Sequence, residues 1–344
     1  MAKVLLAMSG GVDSSAAALL LKEEGHEVVG VTLKLWGEAT DSGCCSVSDV
    51  EDARFVAHQL GIKHLVFNLA DDFGNLVVSP YIGAYMAGLT PNPCIECNRS
   101  IKFDLLLERA MELGFDYLAT GHHARIAERP GRRLIQRGVD ARKDQSYVIA
   151  VMPPDAPQRL LLPVGSYQKE EIRRIAAAAG LRTASKPDSQ EVCFIAGGSS
   201  KEEFLSRFGP LNPARVYDPV SGVTVEDGAP FETVTIGQRR RIGGLGDSMR
   251  RYVVDKDPVT RTLTVGTAEH LMVSELPVEK FTDFTGKGGQ LSGVIQGSAH
   301  GSAVGGELGP EAVRFDLPAR RIAPGQTVVL YHGDLVAASA MVTA

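Results

Sequence analysis

Met8-Ser9-Gly10-Gly11-Val12-Asp13-Ser14-Ser15 follows the apolar run Val4-Leu5-Leu6-Ala7 and leads into Ala16-Ala17-Ala18-Leu19-Leu20-Leu21, which predicts a strand, a turn and a helix in that order. The turn reads as a phosphate-binding one. Gly10 and Gly11 let backbone N–H groups approach an anion with no Cβ in the way, and the N-terminus of the following helix adds partial positive charge. Ser9, Ser14 and Ser15 add hydroxyl donors. The stretch has no Gly-Lys-Ser/Thr ending as in a Walker loop, and no G-x-G-x-x-G follows the strand as in dinucleotide binders.

Outward from this turn, strand and helix signals alternate. The pattern predicts a strand over Lys3–Met8, a helix ending at Glu24 and a strand over His26–Leu35 with the continuous apolar run Val28-Val29-Gly30-Val31. A helix over Ser48–Leu60 places Val50, Ala53, Ala57 and Leu60 at helical spacing. Then come a strand over His64–Leu69, a helix over Ile101–Leu113 and a strand over Tyr117–Thr120 that delivers Gly121-His122-His123. Such alternation predicts an α/β unit with a parallel sheet covered on both faces and ligands at the carboxyl ends of its strands. After Phe208 prolines and glycines break the chain into short β-like runs, among them Thr233–Ile236, Tyr252–Asp255 and Thr262–Val265, a small β-rich central unit. From Glu275 short strands return, with Pro324-Gly325-Gln326 before Thr327–Tyr331, and a C-terminal β-barrel is expected. The expected division is 1–207, 208–272 and 273–344. The Gly- and Ser-rich stretch Gly286–Gly309 is expected to be partly mobile.

The 344 residues, 44% hydrophobic and 22% charged, have the make-up of an ordinary globular protein. No apolar stretch approaches the roughly 18 residues of a membrane helix, and Met1-Ala2-Lys3 runs straight into a strand. A cytoplasmic location with no membrane partner is expected. A net charge of −5 excludes a globally basic coat but not a local one. Between Arg125 and Lys143 stand Arg129, Arg132, Arg133, Arg137 and Arg142 against only Glu128 and Asp140, and Arg239-Arg240-Arg241 forms a second cluster. Each is open to two readings, phosphate contact or a solvated charged face.

Five cysteines are an odd number for a disulfide framework. Cys94 and Cys97 lie in Thr90-Pro91-Asn92-Pro93-Cys94-Ile95-Glu96-Cys97-Asn98-Arg99, where two prolines predict a stiff, extended turn before the Ile101 helix. A helix N-terminus with Arg99 and Lys102 nearby favours thiolate. The C-x-x-C spacing alone leaves open a redox pair, half a zinc site or two ordinary thiols. Cys193 lies far off in Ser189-Gln190-Glu191-Val192-Cys193-Phe194-Ile195, and Cys44-Cys45 reads as structural or incidental. Trp36 is expected in the core, and His26, His58 and His64 as packing or surface residues.

Six motifs in one order carry a resemblance: Ser9-Gly10-Gly11-Val12-Asp13-Ser14, Pro91-Asn92-Pro93-Cys94 with Cys97-Asn98, Thr120-Gly121-His122-His123, Lys143-Asp144-Gln145-Ser146-Tyr147, Ser189 to Ile195, and Ile236-Gly237-Gln238-Arg239. The chain is similar to the bacterial tRNA-specific 2-thiouridylases. The resemblance implies a PP-loop ATPase domain, with ATP and Mg2+ on Ala7, Met8, Ser9, Gly10, Gly11, Val12, Asp13 and Ser14, and Leu33 and Gly121 beside the adenine. It implies tRNA contacts at Asn92, Pro93 and Cys94 for the target base, and at His122, Lys143, Asp144, Gln145 and Gln326. It places the nucleophile at Cys97 and the persulfide carrier at Cys193, with a transient disulfide between them and a cysteine desulfurase or sulfur-relay protein as donor. The implied reaction is ATP-dependent 2-thiolation of a wobble uridine, because the C2 oxygen of uracil leaves only once it is adenylated.

Two departures from the family pattern matter. Many relatives carry Asp where this chain has Cys94, and three thiolates at Cys94, Cys97 and Cys193 would also suit an iron–sulfur cluster with one open iron. The family's Arg-Tyr-Arg run is not recognisable around Gln296-Gly297. The alternatives are another PP-loop adenylating enzyme, of the amide or argininosuccinate synthetase type, and a non-catalytic iron–sulfur or RNA-binding protein.

Overall fold

Strand β1 (Lys3–Ala7) lies inside a five-stranded parallel sheet. In this computed structural model, which describes residues 1–36, 47–188, 192–195, 198–240, 242, 250–299 and 301–344, β1 pairs with β2 (Glu27–Lys34) on one side and β4 (Tyr117–Thr120) on the other. β3 (Lys63–Asn68) flanks β2, and Leu160–Leu161 flanks β4. The chain therefore crosses β1 between β3 and β4, which puts the topological switch point at the carboxyl ends of β1 and β4.

The side-chain period of two divides β1 between two cores. Leu5 packs with Val31, Leu33, Ile101, Phe103 and Leu118 on one face. Val4 and Leu6 pack on the other with Ala16, Ala17, Val28, Val56 and Ile172. The small side chains of helix α1 (Val12–Glu23) bring it close to the sheet, and α2 (Val47–Leu60) lies beside it. The Lys169–Ala178 helix completes that layer, opened by a capping box between Gln168 and Glu171.

The helix expected from Ile101 starts earlier, at Pro93. Asn92 accepts hydrogen bonds from the Cys94 and Ile95 N–H groups, and Pro93 takes the first helical position, where its missing N–H costs nothing. The helix then widens into a π-helical stretch over Cys97–Leu105 before Leu106–Glu112.

A four-stranded central sheet orders Tyr252–Asp257, Thr262–Gly266, Arg215–Tyr217 and Thr224–Val225. Beneath it Arg251 and Asp218 form an almost fully buried ion pair at 2.7 Å. Thr233–Ile236, expected as a strand, is not one: a 3-10 turn covers Phe231–Thr233. The ammonium groups of Lys201 and Lys256 bond the carbonyls of Thr233 and Val234, so no neighbouring strand serves them.

Six antiparallel strands, Met272–Asp283, Leu291–Gln296, Val304–Leu308, Ala312–Arg320, Thr327–His332 and Leu335–Val342, form a barrel, which closes where the first pairs with the last. Gly286–Gly309 holds two of these strands. Its glycines serve close strand approach: a Cβ on Gly306 would stand 2.2 Å from the Arg314 carbonyl oxygen.

The hairpin Ala124–Arg129/Arg132–Arg137 leaves the parallel sheet and joins the barrel, where Gln136 pairs with Leu335 and the Arg137 N–H donates to Asp334 O at 2.9 Å. Much of the basic strip is thereby used inside the protein. Arg125 bonds the Arg137 carbonyl, Arg132 that of Phe284 and Arg133 that of Gln158. Among the described residues no helix is long and apolar enough to cross a membrane. Cys44, Cys45, Ser189, Gln190, Glu191 and Arg241 lie outside the described residues.

Candidate active site

The turn after β1 is held in a shape only glycine tolerates. Gly10 has φ +71°, and a Cβ there would stand 2.2 Å from the Asp49 carbonyl oxygen at the start of α2. At Gly121 a Cβ would lie 2.7 Å from the Ser14 N, so the end of β4 is pressed against the first turn of α1. The Ser14 and Ser15 hydroxyls both donate to Gly11 O, at 3.1 and 2.9 Å, and Ser14 Oγ accepts from the Ser9 N–H.

Asp13, in the first turn of α1, accepts from Lys169 Nζ with both carboxylate oxygens at 2.7 Å and meets His123 Nε2 at 3.0 Å. Burial raises its pKa, but the bonds from His123 and Lys169 outweigh that and hold the carboxyl below its ordinary range. Lys169 also lies 2.9 Å from Asp188, which receives Lys143 and Arg173 at 2.8 Å each. Burial again opposes ionisation, and the bonds from Lys143 and Lys169 overcome it, setting the Asp188 pKa at about 2.

Two cavities meet at this turn, with Ser9, Asp13 and Gln145 as a common wall. The first, about 220 Å³, runs along Ala7, Met8, Val31, Thr32, Leu33, Leu35, Gly121 and His122 and is largely apolar. The second, about 430 Å³, is lined by Gly11, Val12 and His123, by the cations Arg142, Lys143, Lys169 and Lys186 with the carboxylates Asp13, Asp49, Asp144 and Asp188 among them, and, from the barrel, by Ala299. An apolar slot beside a polar cavity lined by paired charges, joined across a glycine turn, suits a nucleoside polyphosphate with its base in the first and its phosphates at the turn.

His122 is buried and shares a 2.7 Å hydrogen bond with Thr120 Oγ1. Burial, with Lys102 and His123 nearby, holds its pKa well below that of a free imidazole, so it stands as a neutral wall of the first cavity. Lys143 and Gln145 line the second cavity, and Gln145 Oε1 accepts from the His123 N–H. Asp144 is taken up by Arg137, Ser146 and the Gly138 N–H. Gln326, on the barrel, donates its amide to the Thr90 carbonyl, tying the barrel to the segment that leads into Asn92, Pro93 and Cys94.

Cys97 is buried in the core cluster beneath β1 and β2, and Cys193 packs against that same cluster, whereas Cys94 is exposed. Among the described residues no three His, Cys, Asp or Glu side chains form a group that could hold a metal ion. Trp36, expected in the core, is 38% exposed at the edge of an aromatic cluster. Sequence reasoning overlooked Lys169, Lys186, Asp188 and the pairing of His123 with Asp13. Lys186 and Asp188 immediately precede the Ser189–Ile195 motif, a signal of position only, and Lys169 carries none.

A parallel sheet with a phosphate-binding turn at its switch point, followed by a closed barrel, defines a class: nucleotide-using α/β enzymes with an appended β-barrel. Residues 2–197 match the model described as the tRNA methyl transferase HUP domain, and residues 307–342 the aminomethyltransferase beta-barrel domain. The chain is 39% identical over 360 residues to the tRNA-specific 2-thiouridylase MnmA of Saccharopolyspora erythraea, covering 99% of both. It is 43% identical to those of Mycobacteroides abscessus, over 99% of both chains, and Moorella thermoacetica, over 96% of this chain and 97% of that one. The protein belongs to the tRNA-specific 2-thiouridylase family.

Proposed function

We propose that this protein is a tRNA-uridine 2-sulfurtransferase that uses ATP to replace the C2 oxygen of the wobble uridine with sulfur. What supports the cysteine chemistry is that Cys97 lies within, and Cys193 packs against, the extended core cluster that also holds Val31, Leu33 and Leu35 of the nucleotide cavity. ATP binds the turn Ala7–Ser14 with its adenine beside Leu33 and Gly121. Mg2+ would be held chiefly by the substrate phosphates, where it would neutralise their charge, since Asp13, the carboxylate on this turn, already accepts from Lys169 and His123. The tRNA contacts are Asn92, Pro93, Cys94, His122, Lys143, Asp144, Gln145 and Gln326.

The uracil O2 attacks the α-phosphorus and the bond to the β-phosphate oxygen breaks, so pyrophosphate leaves and the base is adenylated. A persulfide on Cys193 attacks C2 with its outer sulfur, and AMP departs with the former O2. The Cys97 thiolate then attacks the inner Cys193 sulfur, which leaves the outer sulfur on the base and a Cys97–Cys193 disulfide that a thiol reductant reopens. The sulfur comes from a cysteine desulfurase or a sulfur-relay protein in the cytoplasm.

The test is 2-thiouridine formation on unmodified tRNA with ATP and a sulfur source, in iron-free and iron-loaded protein. Iron-free protein is expected to be active, and Cys97→Ser and Cys193→Ser inactive. Activity only with iron would overturn the persulfide route, and survival of the Cys97 and Cys193 variants would favour an amidating enzyme.

A further inference from the structure

Among the described residues, five lysine and arginine side chains line the two cavities, Lys102 the first and Arg142, Lys143, Lys169 and Lys186 the second. The four of the second cavity are already paired: Arg142 with Glu170 at 3.3 Å, Lys143 with Asp188 at 2.8 Å, Lys169 with Asp13 at 2.7 Å and Lys186 with Asp49 at 2.6 Å. Lys102 is the exception. Half-buried on the π-helical stretch that begins at Cys97, it has no carboxylate or other acceptor for its ammonium among the described residues. Arg99, earlier on the same stretch, is held by Glu96 at 3.6 Å. The Lys102 charge is felt at His122, another wall of the first cavity, where after burial it helps to keep the imidazole neutral.

A carboxylate beside an ammonium cancels most of the field that an incoming anion would meet, so of these five side chains only Lys102 offers an uncompensated charge. Its cavity reaches the phosphate-binding turn at Ser9 and Ser14. The α-phosphate is the group that joins a nucleoside in the slot to phosphates on the turn. We infer that Lys102 is a further catalytic residue for uridine activation, its ammonium holding the α-phosphate as the bond to pyrophosphate breaks and again as AMP leaves. The inference rests on the ATP-dependent activation proposed above. In the first step the uracil O2 bonds to the α-phosphorus while the electron pair of the broken bond departs on pyrophosphate. In the second the C2–O bond breaks, its electron pair stays on the phosphate oxygen, and AMP leaves with one more negative charge than it carried on the base. A fixed ammonium beside that group stabilises the gain without giving up a proton.

The experiment uses the full-length protein and unmodified tRNA, with single-turnover pyrophosphate release followed at saturating ATP and tRNA, ATP affinity measured by calorimetry and folding checked by circular dichroism. Lys102→Met keeps the length of the side chain and removes its charge. It is expected to slow pyrophosphate release by about a hundredfold or more while ATP affinity falls by less than about tenfold, because the contact strengthens as the reaction proceeds. Lys102→Arg, which keeps the charge in another shape, is expected to recover part of the rate, and Lys102→Gln supplies the same comparison if the methionine variant does not fold. A rate within about threefold of wild type, or a loss no larger than the loss of ATP affinity, would overturn the catalytic role. So would a loss that raising the tRNA concentration makes good, which marks a contact to the tRNA backbone instead. The wild type, assayed alongside, reads the underlying assignment: without tRNA-dependent pyrophosphate release there, ATP-dependent activation falls and the role of Lys102 with it. Release by the wild type together with an unimpaired Lys102→Met overturns the lysine's role alone.

Discussion

The guanidinium of Arg137 lies 3.6 Å from the centroid of the Tyr331 ring, stacking the hairpin of the nucleotide-binding unit on a barrel strand. Its edge donates to Asp144 at 3.1 Å and to Gln296 at 2.8 Å, and the Tyr331 hydroxyl meets Ser146 at 3.0 Å. Only a planar, delocalised cation can stack and bond edge-on together. Arg137→Lys is therefore expected to cost about 1–3 kcal/mol of stability, read from urea unfolding. Because Asp144 and Gln145 are adjacent, thiolation should fall as well.

Gly10→Ala should leave a folded protein without nucleotide use. The added methyl meets the Asp49 carbonyl at 2.2 Å in a left-handed backbone conformation, so the turn must move away from α2. Calorimetry should show ATP binding weakened by about a hundredfold or more, with circular dichroism unchanged.

His122 gives the stability curve a definite sign on the acid side. Its folded pKa lies below 6.5, because burial and the charges of Lys102 and His123 disfavour the imidazolium, so the unfolded chain binds more protons as pH falls. Its contribution is complete above pH 6.5 and is lost below it, at up to about 1.4 kcal/mol per pH unit. Thermal midpoints measured from pH 7.5 to 5 should drop for the wild type and drop less for His122→Gln.

In the central sheet, Asp218 and Arg251 neutralise one another almost entirely out of water. Burial opposes the Asp218 charge, and bonds from Arg251 and Ser221 hold its pKa at about 2 regardless. Asp218→Ala strips the guanidinium of this carboxylate and is expected to destabilise the protein by about 3–5 kcal/mol, measured by chemical denaturation.

What could be read in advance follows from the range over which each feature is encoded. The glycine turn and the strands around it announce themselves within a dozen residues, by apolar runs closed with glycine and serine. The helix from Pro93 was misread because a proline pair looks like an extended turn, although Pro93 suits a first helical turn once Asn92 caps it. Nothing local marks Lys169 as the partner of Asp13, 156 residues away, since a lysine on an amphipathic helix looks like any solvated one. Spacing likewise leaves Cys97 and Cys193 unrelated. That both meet one core cluster is set by the tertiary fold and by no local pattern.

The hairpin that Ala124–Arg137 lends to the barrel sets a limit on dissection. A cut between the central sheet and the barrel would break the Gln136–Leu335 pairing and leave the end of Arg132–Arg137 exposed on the other piece. The barrel is thus a poor candidate for transplantation or separate expression. Engineering that exchanges C-terminal regions among relatives has to carry the hairpin along, though it lies some two hundred residues earlier in the chain.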